Sequence, residues 1–154
     1  MSAKPDHRKP SAKAKNLAAR LLAVQALYQS VQNKQRLEKV MQEFLSMRVG
    51  MEVEGEKMVE PDGALFTKIL EGVGERSDDI EHLVDTNIQK NNKDIGMLLK
   101  AILICGSSEL LVNQEADAGV IINDYINVAH GFFDSGEAKL INAILDAVAK
   151  DVRS

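Results

Sequence analysis

Three histidines and one cysteine are the residues best suited to metal binding or nucleophilic chemistry, and their spacing argues against both. His7, His82 and His130 lie far apart, and Cys105 has no second ligand at a metal-binding spacing. Cys105 sits in the apolar run Ala101–Cys105 with no base beside it, which fits a buried thiol in a reducing compartment. Asp78-Asp79 is a carboxylate pair, but acids gather at helix starts for electrostatic reasons. Gly72-Val73-Gly74 lacks the third glycine of a dinucleotide fingerprint, no Gly-Lys-Ser/Thr occurs, and Ser107-Ser108 has no Gly-x-Ser-x-Gly frame. No catalytic constellation is left, and neither a metal nor a cofactor is called for.

A binding constellation does stand out. Residues 1–20 hold Lys4, Arg8, Lys9, Lys13, Lys15 and Arg20 against Asp6 alone, a balance of +5. The net charge of the chain is −4, so the other residues carry −9. Residues 101–138 contain no Lys or Arg but six acids, Glu109, Glu115, Asp117, Asp124, Asp134 and Glu137. A basic head on an acidic body suggests one surface for polyanions and one for a basic partner, although a solvated tail has the same composition. Arg20, Gln25 and Gln29 fall on the first helical segment, and Lys100 and Lys139 are isolated cations near the starts of later ones. Phosphates need cations and donors, and single-stranded bases want flat side chains to stack on. Tyr28 is the flat group on the first segment, its ring expected in the core with its hydroxyl at the surface.

Helices must position these residues. Aromatics are scarce, with four Phe, two Tyr and no Trp, which suits a Leu/Ile/Val/Ala core of helix packed on helix. Residues 1–10 read as a flexible basic leader, and 11–154 as one domain. Ser11 can cap a first helix to about Val31, with Leu17, Leu21, Val24, Tyr28 and Val31 as its apolar stripe. A second spans about 34–48, and the Gly- and acid-rich stretch 49–62 reads as a mobile loop. A third covers about 62–75, and Ser77 can cap a fourth that Asn91-Asn92 breaks. The fifth, about 94–112, is apolar nearly all round and so central. A sixth runs about 117–133, and Asp134 with Glu137 spells a capping box for the seventh. Gly119–Ile122 is the one strand-like run, and helical spacing explains it better. No apolar run reaches the roughly 20 residues that span a bilayer, and no signal-peptide core follows the basic start, so the expected location is cytoplasmic.

Four blocks, in the right order, resemble the NusB family. Ala19-Arg20-Leu21-Leu22-Ala23-Val24-Gln25-Ala26-Leu27-Tyr28 is similar to its opening helix, and Phe66 through Gly72-Val73 to its Phe…Leu-x-Gly-Val segment. Lys100-Ala101-Ile102-Leu103 with Glu109-Leu110 resembles its central helix. Lys139 through Asp146 resembles its closing block. The resemblance implies an all-α, seven-helix fold of two packed sub-bundles. It implies a transcription antitermination factor that binds boxA RNA together with NusE, a ribosomal protein, and joins the transcription elongation complex on ribosomal RNA operons.

On this reading Lys13, Lys15, Arg20, Gln25, Tyr28, Lys100, Lys139 and Asn142 are the RNA-binding residues, and Asp94 and Leu99 fall at the NusE contact. Where the family carries an arginine cluster this chain has Asn16-Leu17-Ala18. Leu99 replaces an acid, Ile104 an arginine and Leu140 an aromatic. These differences keep a second reading open: a NusB-like protein-interaction module, or a homodimer centred on Leu99 and Ile104, with weak or lost RNA binding.

Overall fold

A computed structural model describes residues 11–47, 52–53, 56–57, 59–90 and 95–153. The expected basic leader, Asp94 and the Asn91-Asn92 break lie outside these residues. Among the described residues seven helices follow in order: α1 (Ala12–Gln32), α2 (Leu37–Met47), α3 (Gly63–Glu75), α4 (Ser77–Lys90), α5 (Met97–Val112), α6 (Ala118–His130) and α7 (Ser135–Val152). Between α2 and α3, where the composition reads as loop, two short strands pair antiparallel: β1 (Glu52–Val53) and β2 (Glu56–Lys57), with Glu52 opposite Lys57.

Cap chemistry explains several boundaries. Ser11 accepts a hydrogen bond from the Ala14 N–H at 3.1 Å, and Asp62 accepts one from the Leu65 N–H at 3.0 Å. Each oxygen satisfies a donor that the helix itself cannot. Two expected caps do not form. Ser77 lies inside the first turn of α4, because the Arg76 carbonyl already accepts from the Ile80 N–H at 2.9 Å and α3 runs almost directly into α4. Asp134 occupies the N-cap position of α7, but its side chain makes no capping hydrogen bond, so the capping box with Glu137 is absent. Gly119–Ile122 is helical, within α6.

The packing forms two sub-bundles. Helices α1, α2 and α3 contact one another, and α4 to α7 form the second group. A single core joins them because α5 touches α1, α3, α4, α6 and α7. Every residue from Ala101 to Leu110 is buried, as an all-round apolar helix requires. The deepest face of α1 is Ala19, Leu22, Ala23, Ala26 and Leu27. Of the expected stripe, Val24 is buried, Leu17, Leu21 and Tyr28 are half-buried on the shoulder, and Val31 is exposed. Small alanines let neighbouring helices approach α1 over a wide arc, and that moves the stripe off centre.

Two contacts set how closely the helices approach α5. The Ser108 hydroxyl donates to the Ile69 carbonyl at 2.8 Å, and a Cβ on Gly72 would lie 2.4 Å from the Ser108 oxygen. At the other end, Arg153 clamps the end of α5. Its Nε donates to the Leu110 carbonyl at 2.8 Å, Nη2 to Asn113 at 2.7 Å and Nη1 to Ala116 at 2.6 Å. A cation on helix-terminal carbonyls also meets the negative end of the dipole, so α7 is held against α5.

Gly72 and Gly74 therefore differ in kind. Gly72→Ala must displace the Ser108 hydroxyl and should lose about 1–3 kcal/mol in a urea titration. Gly74 has open space around it, and Gly74→Ala should gain about 0.5–1 kcal/mol. A neutral Gly72→Ala would contradict the close α3–α5 crossing.

Candidate nucleic-acid interface

Arg20 is not at the surface. It is 2% exposed, and its guanidinium lies between two helices of the other sub-bundle. Nε donates to Glu109 Oε1 at 2.8 Å, Nη2 to Glu109 Oε2 at 2.5 Å, and Nη1 to Asp124 Oδ2 at 2.7 Å. Tyr125 donates its hydroxyl to Glu109 Oε1 and Asn113 its amide to Oε2, each at 3.0 Å. Burial alone would lower the proton affinity of the guanidinium, but the hydrogen bonds and charge of Glu109, with the hydrogen bond to Asp124, reverse that and raise its pKa. The expectation of Arg20 as an RNA contact is corrected on this geometry: all three of its nitrogens are spent on buried carboxylates, out of reach of a phosphate.

The same network explains Cys105. Burial, reinforced by the charge of Glu109, pushes its thiol well above the usual range. The group stays protonated at neutral pH, and a buried thiol is no nucleophile. Among the described residues no group of three or more His, Cys, Asp or Glu could hold a metal ion.

Leu99 and Ile104 are each 5% exposed. The expected dimer interface centred on them has no exposed apolar centre, because the central position of α5 turns both into the core. Leu99 likewise offers little side-chain surface to a partner, only the small part that reaches a groove wall. Asp94 lies outside the described residues.

Several expected RNA contacts do converge. A groove of about 560 Å³ opens where the first turns of α5 and α7 meet the second half of α1. Gly96 to Leu99 form one wall, Gly136, Glu137 and Leu140 another, and Tyr28 with Phe133 supply the flat faces. Neither helix start carries a side-chain cap hydrogen bond. First-turn N–H groups have no partner within their own helix, and two positive dipole ends face one opening. Tyr28 is half-buried and its hydroxyl accepts from Gln32 Nε2 at 3.1 Å. Lys139 and Asn142, exposed and three residues apart, share one side of α7 beside the groove residue Leu140.

Other expected contacts stand apart. Lys13 is exposed and Lys15 half-buried at the start of α1, about 20 Å along the helix from Tyr28 at 1.5 Å per residue. The Lys15 carbonyl accepts from the Asp62 N–H at 3.1 Å, tying α3 to α1. Gln25 is half-buried on α1. Lys100 is paired with Asp85 of α4 at 3.2 Å. Phe133 and the wall Gly96–Leu98 escaped the sequence reading. The pair Phe132-Phe133 in an aromatic-poor chain was the available signal, since half of its phenylalanines sit at one helix–helix turn.

Replacing Arg20 by Met should destabilise the fold by about 3–5 kcal/mol, because it leaves Glu109 and Asp124 buried without their cation. Chemical denaturation checks this. In the same samples of the wild type, Cys105 should react with a thiol reagent only after unfolding.

The NusB family model matches residues 17–150. The transcription antitermination protein NusB of Novosphingobium aromaticivorans is 41% identical over 140 residues, covering 88% of this chain and 93% of that protein. The protein of the same name from Allorhizobium ampelinum is 36% identical over 152 residues, covering 96% and 95%. Two solved structures share the fold. One is a crystal structure of the antitermination factors NusB and NusE in complex with dsRNA, with a TM-score of 0.71 and 16% identity over 88% of this chain and 96% of that one. The other is T. maritima NusB, with a TM-score of 0.70 and 21% identity over 96% of both chains. With its match extending from the second turn of α1 to the last turn of α7, the chain belongs to the NusB family.

Proposed function

We propose that this chain is a transcription antitermination factor that binds boxA-type RNA together with NusE and acts within the transcription elongation complex, in the cytoplasm. The observation that carries this reading is the convergence of the α5 and α7 starts on the groove of Tyr28 and Phe133. Membership of the family, and the NusB–NusE–RNA complex among its structural neighbours, support it. Among the described residues no helix is long and apolar enough to cross a membrane.

Among the described residues, few cations stand at the groove itself. Unpaired N–H groups at two helix starts take phosphate oxygens, as helix N-termini do in other anion sites. Tyr28 and Phe133 offer faces for unstacked bases. The Glu137 carboxylate cannot face a phosphate, but it can accept a hydrogen bond from the amino group of a base. Lys139 and Asn142 follow the backbone along α7. Lys13 and Lys15 add cations at the start of α1. Lys100 joins only by giving up Asp85, a surface pair worth at most about 1 kcal/mol. Catalysis has no part in this function; the chain supplies surfaces.

Tyr28→Ala should weaken boxA RNA binding in the presence of NusE by about 1–3 kcal/mol, the usual worth of one stacked base. Lys139→Glu should weaken it too, and should flatten the log–log salt dependence by about 0.7 for the phosphate contact removed. Fluorescence titrations at two salt concentrations read both effects. Unchanged affinity in both variants would move the RNA site elsewhere.

A further inference from the structure

A second groove, of about 510 Å³, runs between α2 and α3. Its floor is apolar: Leu37, Met41 and Leu45 on α2 are half-buried, and Leu70 on α3 is buried. Three acids edge it, Glu38 on α2 and Glu71 and Glu75 on α3, all exposed. Among the described residues, no Lys or Arg lines it. Gly74 also borders the groove, with nothing within 4 Å of where its Cβ would be.

Helix α2 has little else to do with this face. It contacts only α1 and α3 among the helices, and Val40 is its one fully buried residue. Phe44 is engaged, stacked on Phe66 at 6.3 Å between ring centroids. Leu37, Met41 and Leu45 keep apolar surface in contact with water, which covering would relieve. Gly74 gives up helix propensity with no internal contact to justify it, and it leaves the α3 wall low.

We propose that this groove docks a basic amphipathic helix of a partner protein, separately from the groove assigned to RNA. The dimensions fit. Leu37 to Leu45 spans about 12 Å of helix axis, which is a little over two turns. That length accepts apolar anchors at i, i+3 or i+4, and i+7 of an incoming helix. Lysines or arginines flanking those anchors meet Glu38, Glu71 and Glu75, and charge complementarity of this kind sets partner choice and approach. Other occupants fit less well. The basic leader, residues 1–10, holds Lys4, Arg8 and Lys9 but no Leu, Ile, Val or Phe to fill the floor. A two-fold pairing of two copies would set the three acids of one groove against the same three of the other.

The test uses the full chain and a labelled 18-residue Leu/Lys peptide with leucines at helical spacing, read by fluorescence anisotropy. A Leu/Glu twin is the control. The Leu/Lys peptide should bind and its twin should not. Glu71→Lys with Glu75→Lys should weaken binding roughly tenfold or more, by loss of attraction and added repulsion. Glu115→Lys with Asp117→Lys makes the same change of net charge elsewhere and should leave affinity within about twofold. Met41→Gln should weaken binding without altering charge. All variants change exposed or half-buried residues, and circular dichroism verifies their folding. Equal losses in the two double variants, or binding of the Leu/Glu twin, would overturn the proposal. So would sedimentation showing a dimer that Glu71→Lys with Glu75→Lys dissolves, since that assigns the groove to a second copy. RNA affinity should be unchanged in Glu71→Lys with Glu75→Lys, which keeps this result separate from the RNA reading.

Discussion

One buried cation holds the two halves of the molecule in register. Arg20 comes from the first sub-bundle, while Glu109 and Asp124 come from α5 and α6 of the second. Removing three charges from water is expensive, and the arrangement is tolerable only because nearly every polar atom finds a partner. Glu109 alone accepts from Arg20 twice, from Tyr125 and from Asn113. Apolar packing at this point would allow α1 to slide or rotate by a fraction of a turn. A bidentate guanidinium–carboxylate pair does not, because its two parallel hydrogen bonds fix direction as well as distance.

That constraint reaches the surface. Tyr28 lies eight residues after Arg20 on the same helix, about 12 Å along its axis. With Arg20 anchored, the ring of Tyr28 is delivered to the starts of α5 and α7. The Arg153 clamp does the corresponding work on α7, tying its far end to the end of α5. The groove is therefore framed by anchored helices, with Phe133 supplied by the turn between α6 and α7. On the proposed reading, backbone donors and dipoles at the two helix starts attract phosphate there. This accounts for a binding surface in a chain that lacks lysine and arginine from 101 to 138. The acids of that stretch divide by role: Glu109 and Asp124 go inward to Arg20, while Glu115, Asp117 and Asp134 remain in solvent.

Much of this was legible from the residues. Helical spacing located seven helices, and the all-round apolar stretch of α5 marked the central one. Ser11 and the region of Asp62 announced two helix starts. The position of Arg20 was misread because a cation on a shoulder of α1 has the same local pattern whether it faces solvent or a carboxylate 89 residues away. Only tertiary pairing separates the two. Leu99 and Ile104 were read against a family pattern of charged residues at those positions, yet periodicity within α5 already favoured burial. Ser77 and the Asp134–Glu137 pair had the right types for caps, but cap geometry depends on how the preceding chain enters the helix. The groove was half legible: type and resemblance single out Tyr28, which lines it, and Lys139 and Asn142, which stand beside it, whereas its backbone walls carry no residue signature.

The proposed RNA site lies where the starts of α5 and α7 meet Tyr28. The most direct measurement is a map of backbone amide shifts in isotope-labelled protein as boxA RNA is added. The account predicts the largest changes at Gly96–Leu99, Gly136–Leu140 and around Tyr28, with α2 and the second half of α3 unmoved. Changes confined to α2 and α3, with those two helix starts silent, would contradict it.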